Sequence, residues 1–273
     1  MKNEEKVVGI VGLGLIGGSF SFALKTYTNC RVLGIDRNPQ VLSFALKQGY
    51  IDEYCEDVQT ALAQCDLVFL ALYPKDTLLF LQEHELHFKQ GAIVADFCGI
   101  KGIFKDFQTS RFTYVGCHPM AGKEVNGIEN ADKNLFAGAS MLMMANQPEL
   151  EELYRKVGFA RIVHTTPAHH DRLIGYTSQL PHVLAVAYVM MPEFSECDGY
   201  HAGSFKDVSR VARINETLWS ELFCDNREAL TKQIDTLTDH LNHLKEWINH
   251  DPKALKEALK NSRLRMEEKE KKK

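Results

Sequence analysis

Gly12-Leu13-Gly14-Leu15-Ile16-Gly17 stands between an apolar run, Lys6–Val11, and a stretch of helical length, Leu15–Thr26. A strand that feeds a glycine-rich turn and then a helix opens a dinucleotide-binding βαβ unit. Each glycine has a mechanical task. Gly12 permits the tight turn, Gly14 lets the backbone approach a pyrophosphate, and Gly17 lets helix and strand pack closely. The first turn of the helix then offers unpaired N–H groups and a positive dipole end to the phosphates. Asp36 follows directly on the second apolar run, Val32–Ile35. A carboxylate there suits the ribose hydroxyls of NAD and repels the 2′-phosphate of NADP, although the adjacent Arg37 could tolerate one. The expected cofactor is NAD. Its expected contacts are Gly12, Gly14, Leu15, Ile16, Gly17, Asp36 and Arg37, with Leu72 and Pro74 where the run Leu67–Leu72 ends.

Outward from this stretch the apolar runs continue at Ala92–Ala95, Tyr114–Cys117, Leu142–Ala145 and Ile162–Val163. Stretches of helical length, such as Gln40–Gln48 and Lys75–His84, lie between several of the runs. This alternation predicts an α/β fold, a mostly parallel, doubly wound Rossmann sheet covered on both faces. The pattern changes near Thr165, and from Ala168 onward no strand reads convincingly. Leu173, Thr177, Leu180, Leu184 and Ala187 recur at helical spacing, and Val183–Met191 is apolar nearly all round. That predicts a buried helix, kinked at Pro181 and ended by Pro192. Leu230, Ile234, Leu237, Leu241, Leu244 and Ile248 form a heptad-like stripe too short for a coiled coil. It predicts one helix of a bundle, with a subunit contact as the alternative. Glu267–Lys273 has no apolar anchor and reads as a frayed, solvated tail. The expected division is residues 1–165 for the cofactor domain and 166–273 for a helical domain.

The 273 residues are 45% hydrophobic and 25% charged, which excludes a disordered or fibrous chain and makes two domains the better expectation. The net charge of -4 argues against nucleic acid as the main partner. The seven cysteines are scattered and form no C-x-x-C pair, as expected of reduced thiols. With no signal-peptide pattern and no apolar segment of membrane length, the expectation is a soluble cytoplasmic protein without a membrane partner.

A nicotinamide needs a proton acceptor and charge clamps beside it. His118 follows the run Tyr114–Cys117, so it belongs at a strand's carboxyl end, facing the cofactor crevice. A neutral imidazole there is a natural proton acceptor. Around it lies Gly116-Cys117-His118-Pro119-Met120-Ala121-Gly122-Lys123-Glu124. This resembles the GxHPMAGxE signature of the prephenate dehydrogenases, within the cyclohexadienyl dehydrogenases of tyrosine biosynthesis. Gly14–Ser19 is similar to that family's glycine loop, and Ser178-Gln179-Leu180-Pro181-His182 to its SHLPH motif. Gly203–Ala212 resembles its GFKDxTRIA motif, with Trp219 following at the expected distance.

The resemblance spans about Val7 to Trp219. It implies a Rossmann domain followed by an all-helical domain through which a homodimer forms. It implies oxidation of prephenate by NAD with loss of the ring carboxylate, giving 4-hydroxyphenylpyruvate. It assigns His118 as acceptor of the hydroxyl proton, Arg210 as a carboxylate clamp and His182 as a substrate contact. Asp207 is then expected to orient Arg210, and Trp219 to help close the site, from its own or the partner chain. Lys101, Lys123 and Arg213 are secondary charge partners.

Two positions depart from the family. Gly99 stands where a serine often supports the histidine and substrate, and Gln179 replaces the first histidine of SHLPH. A water, Cys98 or another hydroxyl would have to replace the serine. Arogenate is the alternative substrate. A β-hydroxyacid dehydrogenase would explain the cofactor loop but not the HPMAG segment, and a non-catalytic NAD sensor is the alternative of a different class. No metal is expected, because His164, His169, His170 and Asp171 read as a polar linker between domains. With about fifty residues after Trp219, no room is expected for a separate ligand-sensing domain. Inhibition by tyrosine would then be competition at the active site.

Overall fold

The computed structural model describes residues 6–271. Eight strands form one sheet: β1 (Val7–Val11), β2 (Arg31–Ile35), β3 (Glu53–Tyr54), β4 (Leu67–Leu70), β5 (Ile93–Asp96), β6 (Thr113–Pro119), β7 (Ser140–Met143) and β8 (Arg161–His164). Their order is β3-β2-β1-β4-β5-β6-β7-β8. All neighbours pair in parallel except β6 and β7, where Cys117 faces Met143. Every second residue of a strand points to the same face. Val8, Ile10, Leu67 and Phe69 enter one core with Phe20, Phe97 and Tyr154. Val11, Val68, Leu70 and Val94 enter the other with Phe88 and Phe112. This is why the runs are apolar throughout rather than alternating.

The helices between and after the strands are α1 (Leu15–Tyr27), α2 (Pro39–Lys47), α3 (Val58–Gln64), α4 (Pro74–Glu83), α5 (Pro148–Lys156), α6 (Pro167–Ile174), α7 (Leu180–Val189), α8 (Gly203–Ser209), α9 (Glu216–Asp225), α10 (Arg227–His250) and α11 (Pro252–Glu270). Their starts follow local chemistry. Proline occupies the first turn of α2, α4, α5, α6, α7 and α11, where a missing N–H costs nothing. Asn38, Asp57, Thr166, Asn215 and Asp251 cap α2, α3, α6, α9 and α11 through their side-chain oxygens. β3, α3 and α5 lie between the expected elements. β3 has two residues with one half-buried and one exposed side chain, so it carried no apolar signal.

The chain falls into two compact units, residues 1–226 and 227–273. The second contains α10 and α11 packed on each other. On α10 the heptad-like stripe leaves Leu241 and Ile248 exposed. α11 continues to Glu270, with Arg263 paired to Glu267 one turn on, so the expected frayed tail is helical over Glu267–Glu270. Lys272 and Lys273, like Met1–Glu5, lie outside the described residues.

The helix expected to be buried is instead largely open. Only Leu180 and Ala185 of α7 are buried. Leu173, Tyr176, Leu184, Tyr188, Met190 and Met191 are exposed, as is Phe194. Apolarity all round a helix signals burial only once something covers each face, and among the described residues α8 and the turn after it leave much of this one exposed. The expected kink takes the form of a π-helical stretch, Gly175–Gln179, leading into Leu180-Pro181. A wider turn just before a proline fits a residue that cannot donate to the preceding turn.

Candidate active site

The strand order reverses direction between β1 and β4, and such a switch point opens a crevice at the carboxyl ends of the strands. The glycine loop closes one side of it. Gly12 has φ +86°, and a Cβ there would stand 2.7 Å from the Ala71 carbonyl oxygen. A Cβ on Gly17 would stand 1.9 Å from the Gly12 carbonyl oxygen, so no side chain fits. At Gly14 a Cβ would meet nothing within 4 Å, and no side chain caps α1. The open space over a helix N-terminus is what a pyrophosphate requires. Asp36 accepts from the backbone N–H of Leu13 at 2.8 Å and of Asn38 at 2.9 Å. It therefore braces the glycine loop from the end of β2, while Arg37 lies exposed beside it.

A cavity of about 810 Å³ runs from this loop to the helical segment. Among the expected residues, Gly14, Leu15, Ile16, Leu72, Pro74, Gly99, His118, His182 and Trp219 line it. Gly12, Gly17, Asp36 and Arg37 stand outside its wall, as do Gln179, Asp207 and Arg210. Trp219 lines the cavity of its own chain, its ring stacked on His182 with centroids 3.7 Å apart. The His182 Nδ1–H donates to the Ser178 carbonyl at 2.8 Å, and burial holds this imidazole below the usual histidine value. Two contacts bind the α9 segment to the start of α4. Asn215 donates to the Tyr73 hydroxyl at 3.0 Å, and the Lys75 N–H donates to Glu221 at 2.6 Å.

His118 sits at the end of β6 and is held by residues that read only as a linker in the sequence. Its Nδ1 is 2.9 Å from His170 Nε2, and His170 Nδ1 is 2.7 Å from the Asp171 carboxylate. The protons follow from the acceptors. A carboxylate only accepts, so His170 carries its proton on Nδ1 and offers Nε2 as an acceptor. His118 therefore donates through Nδ1 and keeps its lone pair on Nε2. Asp171 is fixed in turn by the N–H groups of Lys101 at 2.9 Å and Gly102 at 2.7 Å. Burial, reinforced by His170 and Lys101, pushes His118 well below the usual histidine value. The ring stays neutral and can take a proton. The only signal for His170 in the sequence was its pairing with an adjacent aspartate. The rest of that cluster disperses: His164 meets Glu151 and His169 meets Arg172. Among the described residues no group of three or more His, Cys, Asp or Glu is arranged to hold a metal ion.

Three other expectations change. Arg210, exposed at the cavity rim, pairs with Glu124 of the HPMAG segment rather than with Asp207. Arg210 closes α8 and opens the tight turn Arg210–Ala212. Lys101 is buried, and its ammonium is consumed by Asp96 and the carbonyls of Cys98 and Cys117, so it has no donor left for a substrate. Cys98 does not replace the missing serine. Its thiol lies 3.3 Å from Thr77 Oγ1, and burial pushes it well above the usual thiol range. Lys123 pairs with Asp132 at 2.9 Å, and Arg213 lines the cavity.

Comparison with known proteins agrees with this geometry. Residues 20–155 match the family model described as prephenate dehydrogenase, nucleotide-binding domain. Residues 166–261 match prephenate dehydrogenase, dimerization domain. A prephenate dehydrogenase of Lactococcus lactis is 30% identical over 251 residues, 88% of this chain and 70% of that one. The crystal structure of a prephenate dehydrogenase from A. aeolicus, in complex with hydroxyphenyl propionate and NAD+, is similar at a TM-score of 0.86. It is 29% identical and covers 98% of this chain and 99% of that one. A Synechocystis arogenate dehydrogenase is similar at 0.80, with 25% identity, covering 96% and 99%.

Proposed function

The chain belongs to the prephenate dehydrogenase family, and from that premise we propose how its site performs the reaction. It is an NAD-dependent oxidoreductase that converts prephenate to 4-hydroxyphenylpyruvate and CO2. The observation that carries the reading is His118, neutral and with its tautomer set by His170 and Asp171, on the wall of the cavity that the glycine loop opens. The residues fit the cofactor: the backbone at Gly14 and the start of α1 hold the pyrophosphate, and Asp36 takes the ribose. Bound NAD supplies a hydride acceptor for the ring carbon that bears the hydroxyl.

His118 Nε2 accepts the hydroxyl proton as positive character builds at that carbon. Loss of the ring carboxylate as CO2 then returns an electron pair that makes the ring aromatic, and the resulting phenolate oxygen takes the proton back from His118. Arg210 clamps a substrate carboxylate through its bidentate fork, exchanging Glu124 for it, and Arg213 serves the second carboxylate. The His182–Trp219 pair walls the ring and excludes water. We assign residues 1–165 to cofactor binding and 166–273 to substrate binding and assembly.

Formation of reduced nicotinamide, followed by absorbance with prephenate and with arogenate, tests the reading. Turnover with prephenate is expected, and silence with both substrates would refute it. A second reading, arogenate as substrate, has one observation in its favour. Glu124 on the cavity wall is a carboxylate that an ammonium would pair with.

The pH dependence has a defined sign. The acceptor works only when neutral, and its folded value lies below 6.5. kcat/KM should therefore hold as pH falls through 6.5 and drop only at more acid pH. An acid limb at or above 6.5 would contradict the assignment.

Assembly is proposed to be a homodimer through the open face of α7 and its neighbours. Tyr188→Glu places a charge in that face and should weaken self-association roughly thirtyfold or more, the scale of a central interface residue. Sedimentation across a concentration series reads this, and a variant that associates like the parent would move the interface elsewhere.

A further inference from the structure

We infer that Leu222 is a positioning residue for His118, and that Gly99, Gln179 and Asn226 form with it one mutually compensating unit. The two departures from the family pattern, at 99 and 179, are far apart in sequence but meet here. A Cβ built on Gly99 would lie 3.3 and 3.7 Å from the two Leu222 methyls and 3.9 Å from His118 Cε1. The space that a side chain at 99 would take beside the imidazole is held by Leu222 hydrocarbon. Such a side chain fits only if Leu222 gives way.

Leu222 is held by more than apolar packing. Its carbonyl accepts from Gln179 Nε2 at 3.1 Å. The Gln179 Oε1 accepts from Asn226 Nδ2 at 2.7 Å, and the same Asn226 amide donates to the Asp171 carbonyl at 2.9 Å. Asp171 is the acid behind His170. A continuous hydrogen-bonded path therefore runs from His118 through His170, Asp171, Asn226 and Gln179 to Leu222, and the Leu222 methyls and His118 Cε1 both border the space beside Gly99. Gln179 is 1% exposed. Its amide donates and accepts at once and does not titrate, so this side of the path is indifferent to pH. With a glycine at 99, the ring has a polar tether on Nδ1, and the Leu222 methyls border the space on its Cε1 side. Leu222 supplies the steric half of the orientation that a hydroxyl at 99 would have to supply by hydrogen bonding.

The unit predicts a non-additive pair. The inference rests on the dehydrogenase reading, so turnover is expressed relative to the parent enzyme with its better substrate. Gly99→Ser alone pushes Leu222 out of the space beside the ring, and Leu222→Ala alone leaves that space open. Each should lower kcat about ten- to hundredfold, the scale of a displaced catalytic group, with NAD affinity unchanged. Gly99→Ser combined with Leu222→Ala gives the hydroxyl room against the ring and should regain most of the loss. Leu222→Met, which preserves bulk, should stay within a few-fold of the parent.

A full-activity Gly99→Ser enzyme would overturn the inference, as would a double variant no better than the worse single one. A second readout is independent of turnover. In protein labelled with ¹³C at histidine Cε1, the His118 resonance should shift in Leu222→Ala and move back in the double variant. An unmoved resonance would also overturn the inference. An inactive parent with the resonance pattern intact would count against the substrate reading alone.

Discussion

His118→Asn is expected to lower kcat about 10²–10⁴-fold while NAD affinity stays within a few-fold of the parent. Asparagine keeps a polar group of similar reach but has no basic lone pair to take a proton. The residues proposed to hold the cofactor lie on the glycine loop and at the ends of β2 and β4, and His118 at the end of β6 is not among them. Steady-state turnover and a fluorescence titration with NAD separate the two effects. Turnover that survives the change would remove His118 from the chemistry, and loss of NAD binding would make its role structural. His170→Ala should cost less than His118→Asn, because the lone pair persists and only its placement on Nε2 is lost. Its cost should exceed that of an exposed histidine such as His240, which has no part in the site.

Lys101→Met is expected to destabilise the protein by about 3–5 kcal/mol, the usual cost of breaking one side of a buried ion pair. In a unit of this size that lowers Tm by roughly 6–20 °C. The Lys101 and Asp96 side chains are 1% and 0% exposed. Removing the ammonium leaves the Asp96 carboxylate with hydrogen bonds from the Tyr114 hydroxyl at 2.7 Å and the Cys98 N–H at 2.8 Å, but no countercharge. Asp96→Asn added to Lys101→Met should recover part of the loss by removing the orphaned charge. The same ammonium also ties the carbonyls of Cys98 and Cys117, the residues just before Gly99 and His118. Activity of the folded variant should therefore fall as well. A Tm within about 2 °C of the parent would show that water or a shifted side chain replaces the cation.

Much of this protein is legible along the chain because the relevant physics is local. Gly12 and Gly17 are dictated by the backbone that approaches them, and a pattern of three glycines between a strand and a helix carries that constraint in six residues. Proline in the first turn and Asn, Asp or Thr before it mark helix starts for the same reason, since the orphaned N–H groups lie within three residues of the cap. The apolar runs of β1, β4 and β5 disclose a sheet covered on both faces before any partner is known.

What tertiary structure decided are the contacts whose partners lie far apart in sequence. His118 and His170 are separated by 52 positions, and nothing at either one indicates that a nitrogen of each ring lies 2.9 Å from the other. Spacing on a helix made Asp207 the natural partner of Arg210. Glu124, 86 positions away in the HPMAG segment, takes that place instead. Hydropathy showed that α7 is apolar but not that its face stays open, because burial depends on what the chain brings to cover it. Sequence alone determined most of the strands and helices and the glycine loop, though not β3, α3 or α5, since sterics and capping act over a few residues. Only the fold decided which side chains hold the His118 imidazole, since that depends on where distant segments come to rest.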